Sequence, residues 1–176
     1  MSKCLIAYYS RRGNNYVEGK IINLSVGNTE VVAKKLQELT GADLYEIKTV
    51  IPYPEDYSKT TEVTQKELRN NLRPELSTIL PNLVSYELIF LGYPNWWGTM
   101  PMAVFTFLES YDFTGKTIIP FCTHEGSGMG ESINDIKRIC KDTSVHSGFS
   151  MRGGSVGNAE DYIRKWSINQ QIKLIK

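Results

Sequence analysis

Apolar positions along this chain gather into short unbroken runs separated by stretches with helical spacing. Lys3 to Tyr9 carries Leu5-Ile6-Ala7 and runs out into Ser10-Arg11-Arg12-Gly13, the pattern of a buried strand entering a loop. Gly13 to Val26 is polar, contains glycine and asparagine, and suggests no element. From Gly27-Asn28-Thr29-Glu30 onward, Val32, Leu36 and Leu39 recur at i, i+4 and i+7 among charged residues, which predicts an amphipathic helix. Asn28 or Thr29 can cap it, and Gly41 ends it. Ala42 to Lys48 alternates as a strand before the loop Ile51-Pro52-Tyr53-Pro54, and Ser58 to Asn71 predicts a polar, exposed helix with a weak apolar face. Tyr86 to Tyr93 is a second buried strand, stopped by Pro94, and Met100 to Tyr111 is a helix with Pro101 in its first turn. Lys116 to Thr123 is another strand and leads into a loop with Gly126, Gly128 and Gly130. Ile133, Ile136 and Ile139 mark the following helix, Thr143 to Phe149 a weaker strand, and Ala159 to Ile175 a last helix.

This order is strand then helix, five times over. Strands buried on both faces and alternating with helices predict an α/β fold with a doubly wound parallel sheet in three layers. At 176 residues the chain fits a single domain, 1–176, with room for a substantial core. Hydrophobic residues make up 41% and charged residues 22%, an ordinary globular balance that argues against a disordered or fibrous protein.

The formal net charge is +1, so no basic field points to a nucleic-acid partner. The longest apolar runs are far too short to span a bilayer, and the first residues lack the apolar stretch of a secretory signal, so a cytoplasmic protein without a membrane partner is expected. Cys4, Cys122 and Cys140 are odd in number and widely spaced, and His124 and His146 lie far apart. Free thiols packed as small apolar side chains are therefore expected rather than a metal site.

In an open parallel sheet, ligands bind beyond the carboxyl ends of the strands, where the strand order reverses. Three loops then come into view. Ser10 with Gly27-Asn28-Thr29 offers hydroxyls and the unpaired N–H groups of a helix start, which suit a phosphate; a plain N-capped turn is the alternative. Gly92-Tyr93-Pro94-Asn95-Trp96-Trp97-Gly98 places adjacent indoles on a loop, where a flat, partly apolar ligand would give them a surface to cover. Core packing or a protein interface would explain them too. Gly92 and Gly98 bracket the aromatics and would let a ligand approach the backbone. Thr123-His124-Glu125-Gly126-Ser127-Gly128 is rich in glycine and small polar groups and presents N–H groups to a polar ring edge. His124 there reads as a catalytic group or as a loop residue satisfied by hydrogen bonds. No dinucleotide fingerprint, Walker motif or nucleophile elbow occurs, so an ATPase is disfavoured and a hydrolase acting through Ser127 poorly supported.

Tyr8-Tyr9-Ser10, Gly27-Asn28-Thr29, Tyr93-Pro94-Asn95-Trp96-Trp97-Gly98 and Thr123-His124-Glu125-Gly126-Ser127-Gly128 resemble, in order along the chain, the FMN-binding loops of flavodoxin-like proteins. The similarity is closest to the bacterial subgroup with Pro-x-Trp-Trp-Gly after the third strand. Flavodoxin is itself a type case of the switch-point rule. The resemblance implies a five-stranded sheet ordered 2-1-3-4-5. It implies that Ser10, Asn28 and Thr29 hold the phosphate of FMN, with Gly27 letting the backbone close around it. Pro94, Asn95, Trp96, Trp97 and Gly98 would line the isoalloxazine, with Trp96 or Trp97 against a ring face. Thr123, His124, Glu125, Gly126, Ser127 and Gly128 would flank its other side. Two features depart from the pattern. Gly13 to Val26 separates Ser10 from Gly27, and Arg11, Arg12, Asn15 and Tyr16 would either fold back over the phosphate or lie in a solvated loop. The chain also lacks the strong negative charge that steers short flavodoxins to basic redox partners.

The function implied is electron transfer through non-covalently bound FMN, with no catalytic acid or base named. The partner would be a redox protein or a small electron acceptor. NAD(P)H-dependent reduction of quinones and a non-catalytic, flavin-dependent interaction module are the alternatives.

Overall fold

The computed structural model describes residues 3–80 and 82–170. Its main sheet is built from β1 (Lys3–Tyr8), β4 (Asp43–Glu46), β5 (Tyr86–Pro94), β6 (Thr117–His124), β7 (Ser144–Val145) and β8 (Phe149–Arg152). All pairings in it are parallel, in the order β4-β1-β5-β6, with β7 and β8 both lying along β6. Counting β7 and β8 as one interrupted edge strand, this is the 2-1-3-4-5 order expected for a flavodoxin-like sheet. The interruption corrects the expected strand at Thr143 to Phe149: His146 N still donates to the Ile118 carbonyl at 2.9 Å, the ladder then lapses, and pairing resumes at Phe149 and runs through Arg152. Pro120 occupies β6 opposite this gap and has no N–H to offer. The carbonyl of Gly148 instead accepts from Trp166 Nε1 at 3.1 Å.

The alternation of side chains along the strands sets the three layers. On one face Ile6, Tyr8, Phe90, Ile119, Phe121 and Phe149 pack against Val32, Leu36 and Leu39 of α1 (Asn28–Thr40) and Ile163 of α5 (Ala159–Asn169). On the other, Leu5, Ala7, Ile89, Leu91, Tyr93 and Cys122 meet Phe105 and Leu108 of α3 (Met102–Ser110) and Ile136 of α4 (Ser132–Ile139). The part of the expected last helix beyond residue 170 lies outside the described residues. Cys122 and Cys140 are buried and Cys4 partly so, and burial pushes all three thiols up to about 12, which makes them poor nucleophiles.

Three further readings are corrected. Gly13 to Val26 is an antiparallel hairpin, β2 (Gly13–Val17) and β3 (Lys20–Leu24), outside the main sheet. Its two-residue turn, Glu18-Gly19, has both φ angles positive (49° and 83°), the left-handed geometry of the tightest hairpins. Helix α2 (Tyr57–Arg69) is not wholly a solvent-facing helix, because Thr60 and Thr64 are buried. Neither Asn28 nor Thr29 caps α1. The N-cap position is Gly27, and the capping oxygen comes from the end of β1, where Ser10 Oγ accepts from Glu30 N at 3.0 Å. The side chain of Glu30 is spent structurally too. Burial disfavours its charge, but hydrogen bonds from Arg12 and Lys34 outweigh that and hold the carboxyl below its usual range.

Candidate functional site

The carboxyl ends of β1, β5 and β6 form one rim, and strand order reverses between β1 and β5. At this rim lies a hollow of about 170 Å³. Asn28 and Thr29 line it from the start of α1, Pro94, Asn95 and Trp96 from the end of β5, and Thr123, His124, Glu125 and Ser127 from the end of β6. An adjoining hollow of about 210 Å³ opens between Trp96, Trp97 and the threonines of α2. Arg11, Asn15, Tyr57, Asn95 and Trp96 border both. The three loops singled out in the sequence therefore meet.

Some expected residues act behind the cleft rather than in its wall. Ser10 Oγ, outside the lining of the hollow, caps α1 as an acceptor and keeps its O–H to donate. A side chain on Gly27 would collide with Ser10 Oγ at 2.2 Å and the Arg11 carbonyl at 2.4 Å, and one on Gly92 would strike the Phe121 ring at 2.1 Å. These glycines make room for the protein's own packing. Thr29 Oγ1 lies 2.7 Å from Thr123 Oγ1, a buried contact joining the first loop to the third.

The middle loop is held from both sides. Asn95 Nδ2 donates to the Gly128 carbonyl at 2.9 Å, its Oδ1 accepts from Gly98 N at 3.0 Å, and its own N–H reaches the Thr123 carbonyl at 2.8 Å. Asn95 is thus the tie between the tryptophan turn and the glycine loop. Trp96 and Thr99 exchange backbone bonds, enclosing a tight turn with positive φ at Trp97 (57°) and Gly98 (83°). A bulky residue in that region costs roughly 1–2 kcal/mol. Trp97 is held there by its Nε1 donating to Thr64 Oγ1 at 3.0 Å. Trp96 turns inward instead and packs edge-on against Tyr9 and Tyr53, with centroids at 5.3 and 5.2 Å.

Among the described residues, no acidic or basic side chain is hydrogen-bonded to the His124 ring. Its Nδ1 accepts from Gly126 N at 2.9 Å, closing its own loop. Burial, then the nearby Arg152 charge, lower its pKa, partly opposed by Glu125. Glu125 binds backbone: Oε2 accepts from Glu18 N at 2.8 Å and Oε1 from Gly153 N at 3.1 Å. It pins the tip of the hairpin across the rim. Glu125→Ala is expected to free that tip and speed amide hydrogen exchange at Glu18 and Gly153 by about tenfold or more, the scale of a lost charge-assisted bond. Unchanged exchange at both amides would show that the hairpin is held elsewhere.

Arg11, Tyr16, Tyr57 and Thr60 also border the hollows. Tyr57 and Thr60 carried no sequence signal, since α2 reads as an outward polar helix. The hairpin was legible in the Glu18-Gly19 pair between alternating segments. Among the described residues, no three His, Cys, Asp or Glu side chains gather to hold a metal ion, and no helix is long and apolar enough to cross a membrane.

Fold and rim together define a doubly wound α/β protein with a ligand cleft at its topological switch point. The family model for flavodoxin matches residues 3–170, and the chain belongs to the flavodoxin family. Among solved structures it is similar to a protein assigned as a flavoprotein from Bacteroides eggerthii DSM 20697, with 29% identity, a TM-score of 0.71, and coverage of 93% of this chain and 99% of that one. A second such protein, from Bacteroides uniformis ATCC 8492, is 27% identical with a TM-score of 0.70, covering 93% and 98%. A Lactobacillus acidophilus NCFM flavoprotein, solved in complex with FMN, shares the fold at 22% identity and a TM-score of 0.65, covering 95% and 99%. No curated protein matches the chain.

Proposed function

We propose that this protein holds FMN non-covalently in the rim cleft and passes electrons through it. The observation that carries this reading is the meeting of the helix start, the tryptophan turn and the glycine loop around one hollow. The donor set fits the group. The N–H groups of Asn28 and Thr29 belong to the first turn of α1 and find no carbonyl within the helix, which suits a phosphate. Trp96 supplies an aromatic wall, and the loop from Thr123 to Gly128 supplies small polar groups for a heteroaromatic edge. The two adjoining hollows together reach the lower end of the roughly 300–1,000 Å³ range of small-ligand pockets. FMN, when bound, supplies the redox chemistry, and the protein supplies binding, orientation and exclusion of water. Here Trp96 forms an aromatic wall backed by Tyr9 and Tyr53, and Asn95 fixes the spacing of the two flanking loops.

Absorbance of the purified protein, followed by titration with FMN, tests this. Bands in the near-ultraviolet and blue, or quenching of FMN fluorescence on mixing, are expected; a colourless protein that leaves free FMN unchanged overturns the reading. A net charge of +1 favours a small acceptor over a basic protein partner, and therefore supports NAD(P)H-dependent reduction of quinone-type acceptors as the second reading. Steady-state oxidation of NAD(P)H with and without a quinone separates the two, since a carrier needs a separate reductase.

A further inference from the structure

Away from the rim cleft lies a larger hollow of about 420 Å³, which shares no lining residue with the two hollows of the rim. Three walls enclose it. Val50, Ile51, Pro52 and Pro54 come from the chain that leaves β4, Val63 from α2, and Pro74 from the stretch after α2. The prolines fix their own φ, which stiffens two of these walls. The same two walls are tied together, Val50 N donating to the Glu75 carbonyl at 2.9 Å and Ser77 N to the Lys48 carbonyl at 2.8 Å. Their apolar side chains are left uncovered: Ile51 is 82% exposed, and Val50 and Val63 are exposed too. The fourth side is the ring of Tyr53, which meets Trp96 edge-on at 5.2 Å, so the hollow and the rim cleft stand one ring apart.

Two carboxylates interrupt this apolar lining, Glu67 from α2 and Glu75 from the stretch after it. Glu67 is half-buried, and Tyr53 Oη donates to its Oε2 at 2.7 Å, a bond that leaves the negative charge in place. Burial raises the carboxyl's pKa against the opposing effect of that bond. Among the described residues neither carboxylate is paired with a cation. The cations that flank the walls are committed elsewhere, Lys48 Nζ to Glu46 at 3.0 Å and Arg73 Nε to Glu109 at 2.7 Å.

We propose that this hollow binds an organic cation with an apolar body, an aryl- or alkyl-substituted ammonium, its charge toward Glu67 and Glu75 and its body against Val50, Ile51, Val63 and the prolines. Charge complementarity selects a cation, and the uncovered apolar walls select one that carries hydrocarbon. A hard metal ion takes about six or more oxygen ligands, which these walls do not offer. Enclosure by three walls suits a small molecule, and the volume falls within the roughly 300–1,000 Å³ of small-ligand pockets. The site stands independently of the FMN reading.

The test is titration of the full chain with benzyltrimethylammonium, followed in ¹H–¹⁵N correlation spectra, with benzyl alcohol and phenylacetate as the neutral and anionic comparisons. Saturating shifts are expected at the amides of Val50, Ile51, Val63, Glu67 and Glu75, with an affinity about tenfold or more above that for either comparison. Glu67→Gln keeps an acceptor for Tyr53 Oη and loses the charge. It is expected to weaken the cation by about tenfold and to leave benzyl alcohol within about twofold. Should that variant fold poorly, Glu75→Gln, at an exposed position, is expected to weaken the cation by about threefold or more with the rest of the spectrum unchanged. Shifts that fail to saturate or that centre elsewhere overturn the proposal, as do equal affinities for the three probes or full affinity in both variants. The same shifts with Mg²⁺ alone would assign the carboxylates to a metal ion and overturn it. Tighter binding of Nα-acetylarginine methylamide than of benzyltrimethylammonium would also overturn it, in favour of a basic side chain from a protein partner.

Discussion

Gly130→Ala is expected to lower the midpoint of thermal unfolding by about 10 °C and to weaken flavin binding by at least about 100-fold, the combined result of backbone strain and a collision that no side chain can relieve. Gly130 has φ +52°, and a methyl group there would stand 2.1 Å from the Gly98 carbonyl oxygen and 2.7 Å from its carbon. That oxygen already accepts from Glu131 N at 2.8 Å. Relief therefore means separating the tryptophan turn from the glycine loop, the elements that flank the proposed ring site. The collision is with backbone, so changing a rotamer does not help. Gly128→Ala is the matched comparison, because Gly128 has a similar φ of +58° but open space around the position of a Cβ. It should lose only the conformational part, roughly 1–2 kcal/mol. Equal midpoints for the two variants in a calorimetric scan would mean that contact between the loops is not what Gly130 protects.

Trp96→Ala is expected to reduce FMN affinity by about 100-fold and to cost about 2–4 kcal/mol of stability, since it empties a wall of both hollows and unseats Tyr9 and Tyr53. Trp96→Phe should keep most of the binding. Trp97→Ala should change affinity by less than about fivefold, because Trp97 is 48% exposed and borders only the hollow toward α2. The left-handed strain at this position arises at Cβ and stays with alanine, so the change in stability is that of the lost bond to Thr64 and the lost packing. Titrations of the three variants beside urea unfolding separate binding from folding. A larger binding loss for Trp97→Ala than for Trp96→Ala would reverse the assignment of the inner indole.

The adjacent tryptophans illustrate how far residue patterns reach. Their presence on a loop beyond a buried strand marked the site, yet which one turns inward depended on the tight turn at Trp97-Gly98 and on Thr64, more than thirty residues earlier on a helix that reads as exposed. Ser10 is similar: its hydroxyl pointed to a phosphate loop, and the fold adds that its oxygen accepts from Glu30 N across the inserted hairpin while its O–H stays available. Glu125, expected in the ring-binding loop, lines the hollow and also holds the Glu18 and Gly153 amides. Gly92, expected to admit a ligand, admits Phe121.

Local chemistry by itself determined the strands, most helices, the parallel class and the three loops at the rim, because periodicity, capping residues and breakers act over a few positions and leave their mark in the order of residues. Only the tertiary structure decided which polar groups face the cleft and which are consumed by the protein. A hydroxyl, carboxylate or guanidinium takes whichever partner lies within about 3 Å, and across this rim those partners come from as far apart as Glu18 and Glu125 or Arg11 and Glu55.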